Sequence, residues 1–279
     1  MGKLPTNNQN NFFIISLITF LAFMALALPT QGHCGRKAVK KAPKTTAVQI
    51  LAINDFHGQI VEGIKVSGRP VGSAPVLAAY LKEASKGMEN RTFIVHAGDA
   101  VGASPPESAL LQDEPTIMFL NQLANRHCHG SGRLDPKCNM VGTVGNHEFD
   151  EGQDEMMRLI YGGNHEKGPF LENPWQGAKF PYVCANVIGE KSGLPLLPPY
   201  VIKKVNRVPI AFVGAVLQDT PSIVTASGIE GLRFTDEAEA INKQVKFLKK
   251  GVFAPLSSCS IREAASIRMR EKPILRPRN

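Results

Sequence analysis

Two periodicities alternate through the middle of the chain. AVQILAIND (47–55), RTFIVHAGD (91–99), NMVGTVGN (139–146) and YVCANVI (182–188) are short Val/Ile-rich runs closed by polar or glycine residues, the pattern of buried strands. PYVIKKV (199–205) and VPIAFVGAV (208–216), separated by Asn206 and Arg207, predict a hairpin. Between these runs, PVLAAYLKEASK (75–86), TIMFLNQLANR (116–126), EGQDEMMRLIYG (151–162) and TDEAEAINKQVKFLKK (235–250) repeat their apolar positions at helical spacing. In the last of these Thr235 is the expected N-cap, acids fill the first turn, and Lys249 and Lys250 close the helix, in the order that complements its dipole. Alternating strands and helices predict a layered α/β domain over residues 47–252.

The ends differ from this middle. Residues 12–28 (FFIISLITFLAFMALAL) form one apolar run preceded by Lys3 and followed by Pro29 and small or polar residues, so residues 1–32 are expected to be a signal peptide or an uncleaved anchor. Residues 33–46 then read as a basic, solvated linker. Export to a periplasmic or extracellular compartment follows, with a membrane contact only if the segment stays attached. In that setting a disulfide between Cys128 and Cys138 is expected, closing the loop HGSGRLDPK and contributing about 3 kcal/mol. Two unpaired thiols are the alternative.

Charge narrows the function. The chain carries a formal +8, but residues 1–44 hold +6 and residues 253–279 hold +4, which leaves −2 for residues 45–252. The basic balance belongs to the tails, and no basic patch interleaved with aromatics marks the middle as a nucleic-acid binder. No Gly-x-Gly-x-x-Gly follows the first strand, which excludes a dinucleotide-binding fingerprint.

Three expected strand ends carry polar chemistry: Asn54-Asp55-Phe56-His57-Gly58, Gly98-Asp99, and Gly145-Asn146-His147-Glu148 with Asp150 beyond. Open α/β sheets place their ligands at this carboxyl edge. Carboxylates, an imidazole and a neutral amide oxygen suit zinc, manganese, magnesium or iron, and Asp99 offers two oxygens for a pair of ions. Glu148 reads as a structural acid, His96 as a core histidine inside an apolar strand, and His165 as a solvent-exposed loop residue.

INDFHG, HAGDAVGASP and GTVGNHEFDEG, with FPYVCANV after them, resemble the ordered motif blocks of calcineurin-like metallophosphoesterases, in particular the exported 5′-nucleotidase and UDP-sugar hydrolase branch. The resemblance implies a metallophosphoesterase-type β-sheet sandwich flanked by helices, with two divalent metal ions between the sheets. It implies Asp55 and His57 on one ion, Asp99 bridging and Asn146 on the second, with His147 as the catalytic histidine and Asp150 orienting it. The expected substrate is a nucleotide or another phosphate ester.

The resemblance also implies later histidines, one after a further apolar strand and two in a Gly-His-x-His motif, and this chain has no histidine after His165. Residues 253–279 show neither alternation nor an apolar run where a strand is due, so the domain is expected to be truncated and the tail aberrant and disordered. A two-base shift of reading frame allows residues 254–264 to encode AIVVLLHPGG, an apolar strand closed by histidine. The alternative to an enzyme with impaired activity is a noncatalytic fragment that binds metal or phosphate weakly.

Overall fold

The computed structural model describes residues 45–62, 65–70, 73–130 and 133–251. The N-terminal apolar segment, nearly all of the basic linker and the tail from residue 252 lie outside the described residues. In chain order the elements are β1 (Gln49–Ile53), β2 (Lys65–Val66), β3 (Arg69–Pro70), α1 (Ala74–Ser85), β4 (Thr92–His96), α2 (Pro106–Ala109), α3 (Glu114–Leu123), β5 (Met140–Gly142), α4 (Gln153–Tyr161), β6 (Val187–Gly189), β7 (Tyr200–Val205), β8 (Val208–Val213), β9 (Leu232–Phe234) and α5 (Glu237–Lys250). Among these residues no helix is long and apolar enough to cross a membrane.

The three strands with polar ends form one parallel sheet in the order β1-β4-β5. Parallel strands need crossover connections, and α1 and then α2 with α3 supply them. The register sets Ile53 beside His96 and His96 beside Gly142, so the three strands end level and their following loops leave from one edge. β4 is central and its residues Phe93, Ile94 and His96 are buried. α3 turns Ile117 and Leu120 into the core and α4 adds Met156, Leu159 and Ile160, against Met140, Phe149 and Phe180. The α/β expectation is met.

A buried ion-pair network fastens α4 to α3. Arg158 donates from Nη1 to Glu114 and from Nε to Glu155, both at 2.7 Å, and the second Glu114 oxygen accepts from Leu171 N at 2.9 Å. Removing one partner of such a network strands the others without water. Glu114→Ala is therefore expected to cost about 3 kcal/mol and lower the melting temperature by about 6–12 °C. An unchanged melting temperature in calorimetry would show that the network is not structural.

The hairpin forms as expected: Tyr200 pairs with Val213 through to Val205 with Val208, and Asn206 and Arg207 take φ 50° and 70° in the two-residue turn. Positive φ at both central residues is what such a turn demands of a twisted ribbon. The disulfide Cys128–Cys138 also forms. Its loop is pinned from below by buried Lys203, whose Nζ donates to the carbonyls of Arg133 at 3.2 Å and Asp135 at 3.0 Å. Burial depresses the Lys203 pKa to about 8 in spite of the nearby Asp135 charge.

Three expectations are corrected. The run 182–188 is a strand only from Val187, because its backbone bonds in three directions: Val183 N to Gly142 O, Cys184 N to Pro198 O and Ala185 N to Gly214 O. The cap of α5 is Asp236, whose Oδ1 accepts from Glu239 N at 2.7 Å, while Thr235 is tied to the Asn186 carbonyl. His165 is half-buried, with Nδ1 accepting from Lys167 N, where solvent exposure was expected.

Candidate metal centre

The loop after β1 is stitched along the loop after β4. Asp55 N donates to Gly98 O at 3.3 Å, His57 N to Asp99 O at 3.0 Å and Gly58 N to Ala100 O at 3.1 Å. Asp55, His57 and Asp99 all adopt left-handed backbone, at φ 51°, 45° and 51°. For residues with a Cβ this costs roughly 1–2 kcal/mol each, strain that packed loops sustain at functional sites. The result is convergence: one ligand atom from each of Asp55, His57 and Asp99 lies within 4.8 Å of the others. Asn54 Nδ2 holds the Asp55 carboxylate from the side.

The loop after β5 is clamped to the same place. A Cβ on Gly98 would meet Gly145 N at 2.3 Å, and one on Gly145 would meet Asp99 Oδ1 at 2.2 Å, so both positions need glycine. Glu148 is the staple: its buried carboxylate accepts from Asp99 N and Ala100 N, each at 2.9 Å, and from Gly145 N. Burial pushes its pKa up to about 7, with the three N–H donors pulling the other way and the Asp99 charge adding to the rise. Its reading as a structural acid fits these contacts.

His147 N donates to Asp99 Oδ1 at 2.9 Å. A short 3-10 turn over His147–Phe149 then sets His147 and Asp150 on one side, with Nδ1 and Asp150 Oδ2 2.7 Å apart. A carboxylate only accepts, so the Nδ1 proton is on His147. Burial alone lowers the His147 pKa, but the hydrogen bond and charge of Asp150, then Asp99 and Glu148, outweigh it and raise it. The His147 and His57 rings meet edge to face at 4.8 Å. His57 Nδ1 lies 2.9 Å from Gly102 O, an acceptor, which leaves Nε2 of His57 unprotonated and able to bind a cation. Asn146 is half-buried between Gly145 and the Asp99-bonded His147 amide, and its side chain makes no hydrogen bond among the described residues. Asp55, His57, Asp99, Asn146, His147 and Asp150 thus all lie on the level loops at one sheet edge.

Residues 48–257 match the family described as calcineurin-like phosphoesterase. The chain belongs to that family. A relative within its reach is Endonuclease YhcR of Bacillus subtilis, 42% identical over 224 residues that cover 77% of this chain and 17% of that protein. The 5′-nucleotidase of Vibrio cholerae is 25% identical over 210 residues, 75% of this chain and 32% of its own length. Among solved structures, Haemophilus influenzae NAD nucleotidase (NadN) shares the fold with a TM-score of 0.53 at 24% identity, over 73% of this chain and 32% of that one. The chain therefore spans less than a third of the two curated relatives. Calcineurin-like phosphoesterases bind divalent metals, and the donor set here fits such an ion: two carboxylates and an imidazole whose proton is parked on the far nitrogen.

Residue pattern assigns no role to Asn54 or to the Gly102 carbonyl. Asn54 precedes the motif acid and reads as a turn former, and a carbonyl partner such as Gly102 leaves no mark in side-chain pattern.

Proposed function

We propose that this domain is an exported, metal-dependent phosphoesterase that hydrolyses phosphate esters of nucleotides. The observation that carries the reading is the convergence of Asp55, His57 and Asp99 beside the His147–Asp150 pair. Asp55, His57 and Asp99 would hold one ion, and Asp99 and Asn146 would be the donors available to a second. When bound, such ions lower the pKa of water and neutralise phosphate charge. The chain's own part is orientation and proton supply. Asp150 fixes the proton of His147 on Nδ1 and favours the charged ring, so Nε2 can donate to the leaving oxygen of an ester as negative charge grows there. The nucleotidase relative supports a nucleotide substrate. The net −2 of residues 45–252 offers no footprint for a nucleic-acid chain. Export rests on the apolar run at residues 12–28 and on the disulfide, which fits an oxidising compartment.

One observation favours a second reading. No histidine follows His165 in this sequence, and among the described residues Asp99 and Asn146 are the donors assigned to a second ion. In that reading the domain binds a metal or phosphate weakly and does not turn over.

Hydrolysis of p-nitrophenyl phosphate and of a nucleoside 5′-monophosphate by the full chain, with Mn²⁺ supplied, separates the two. The proposal expects metal-dependent turnover that falls about 100-fold or more in His147→Ala, while Mn²⁺ affinity stays within about 3-fold. Metal binding without turnover would establish the noncatalytic reading, and turnover indifferent to His147→Ala would contradict the assigned role.

A further inference from the structure

The first residue of α3 is preceded by an aspartate that does not cap it. Asp113 occupies the N-cap position at φ 54° and ψ 12°, yet its carboxylate takes no hydrogen bond from the first turn of that helix. Oδ2 instead accepts from Gly102 N at 3.0 Å, eleven residues back along the chain. Gly102 is the residue whose carbonyl oxygen lies 2.9 Å from His57 Nδ1 and accepts its proton. The same turn touches the other half of the centre, since a Cβ on Gly102 would lie 2.5 Å from His147 O and 2.8 Å from Asp150 Oδ2.

Two further features set Asp113 apart from an ordinary turn residue. Gln112 and Asp113 are consecutive left-handed residues, at φ 50° and 54°, a conformation that glycine adopts without strain. The other carboxylate oxygen, Oδ1, is buried without a partner, and the cavity of about 90 Å³ that Asp113 borders is also lined by His147 and Asp150. Backbone strain and a half-satisfied buried carboxylate both cost stability, and the one bond gained for them is the bond to Gly102.

We propose that Asp113 is a positioning residue of the metal centre: it fixes the Gly102 turn so that the Gly102 carbonyl keeps the His57 proton on Nδ1 and leaves Nε2 free for a cation. The inference rests on the reading of His57 as a metal ligand. Its chain of contacts runs Asp113 carboxylate, Gly102 N–H, Gly102 carbonyl, His57 ring, and it explains why the acid reaches backwards and leaves its own helix uncapped.

The test uses imidazole ¹⁵N spectra of the metal-free full chain, with the His57 signals assigned by their loss in His57→Gln, alongside Mn²⁺ titrations. In the wild type His57 is expected as the Nδ1-protonated tautomer. Asp113→Gly suits the left-handed backbone and keeps the melting temperature, but it removes the acceptor. It is expected to populate the Nε2-protonated tautomer and to weaken Mn²⁺ binding about 10-fold. Asp113→Asn retains an acceptor oxygen and is expected to keep the wild-type tautomer, with affinity within about 3-fold. Gln112→Gly relaxes the same turn without touching the acceptor and is expected to change neither readout. A wild-type tautomer in Asp113→Gly, or an equal shift in Gln112→Gly, would overturn the proposal. If the wild type binds no Mn²⁺, the ligand reading of His57 fails, while the tautomer comparison still decides the role of Asp113.

Discussion

Asp99→Ala is expected to abolish divalent-metal binding, lowering Mn²⁺ affinity at least about 100-fold, where His147→Ala leaves it nearly intact. Asp99 stands at the meeting point of all three loops: its carbonyl accepts from His57 N, its amide donates to Glu148, and its Oδ1 accepts from His147 N. Removing the carboxylate takes a ligand from the group it forms with Asp55 and His57 and strands the His147 amide. Alanine is also poorly suited to φ 51°, so part of the loss is structural. Asp99→Asn separates the causes. It keeps an oxygen for the His147 amide and tolerates left-handed backbone, so its melting temperature is expected to stay close to the wild type while Mn²⁺ affinity still falls about 10-fold or more with the lost charge. Calorimetric titration of both variants, with thermal melts, checks this. Full Mn²⁺ affinity in Asp99→Asn would mean the carboxylate serves the fold and not the ion.

Acid lability is the second large effect, and its source is His96. The ring is buried against Phe180 and Tyr182, both ring nitrogens lack partners, and a Cβ on neighbouring Gly142 would lie 2.0 Å from Nε2. Tyr182, the titratable group facing it, is held neutral by its own burial. Burial depresses the His96 pKa from 6.5 to about 3. The folded state therefore binds fewer protons than the unfolded chain between those values. Stability contributed by neutral His96 is present above pH 6.5 and is lost as pH falls toward 3, at about 1.4 kcal/mol per pH unit. His96→Leu removes the titration at similar volume. Between pH 7 and pH 5 the wild type is expected to lose about 2 kcal/mol more than His96→Leu in urea unfolding. Equal losses would show that His96 gains a partner or water in solution.

Much of this architecture is legible in residue pattern because strands and helices are set by burial, and burial leaves a periodic trace. The runs around Ile50, Ile94 and Val141 became the three level strands, and their polar ends came together at one sheet edge. Asn206 and Arg207 marked the hairpin because two central residues joined two apolar runs. The run around Val183 misled, since apolar composition shows that a segment is buried and not which neighbours its backbone will bond. The cap of α5 fell one residue later than Thr235 because the Asn186 carbonyl had already claimed Thr235. At the site, residue type and spacing exposed the acids and histidines. The parts that aim them, the Gly102 carbonyl and the backward reach of Asp113, are long-range and carried by the backbone, and no local motif encodes them.

Asp55, His57 and Asp99 are proposed to form a metal centre. Calorimetric Mn²⁺ titration of the full chain tests it most directly. One saturable ion per chain is expected, lost on substitution of Asp55, His57 or Asp99. No saturable binding, or binding that survives Asp99→Ala, would contradict it.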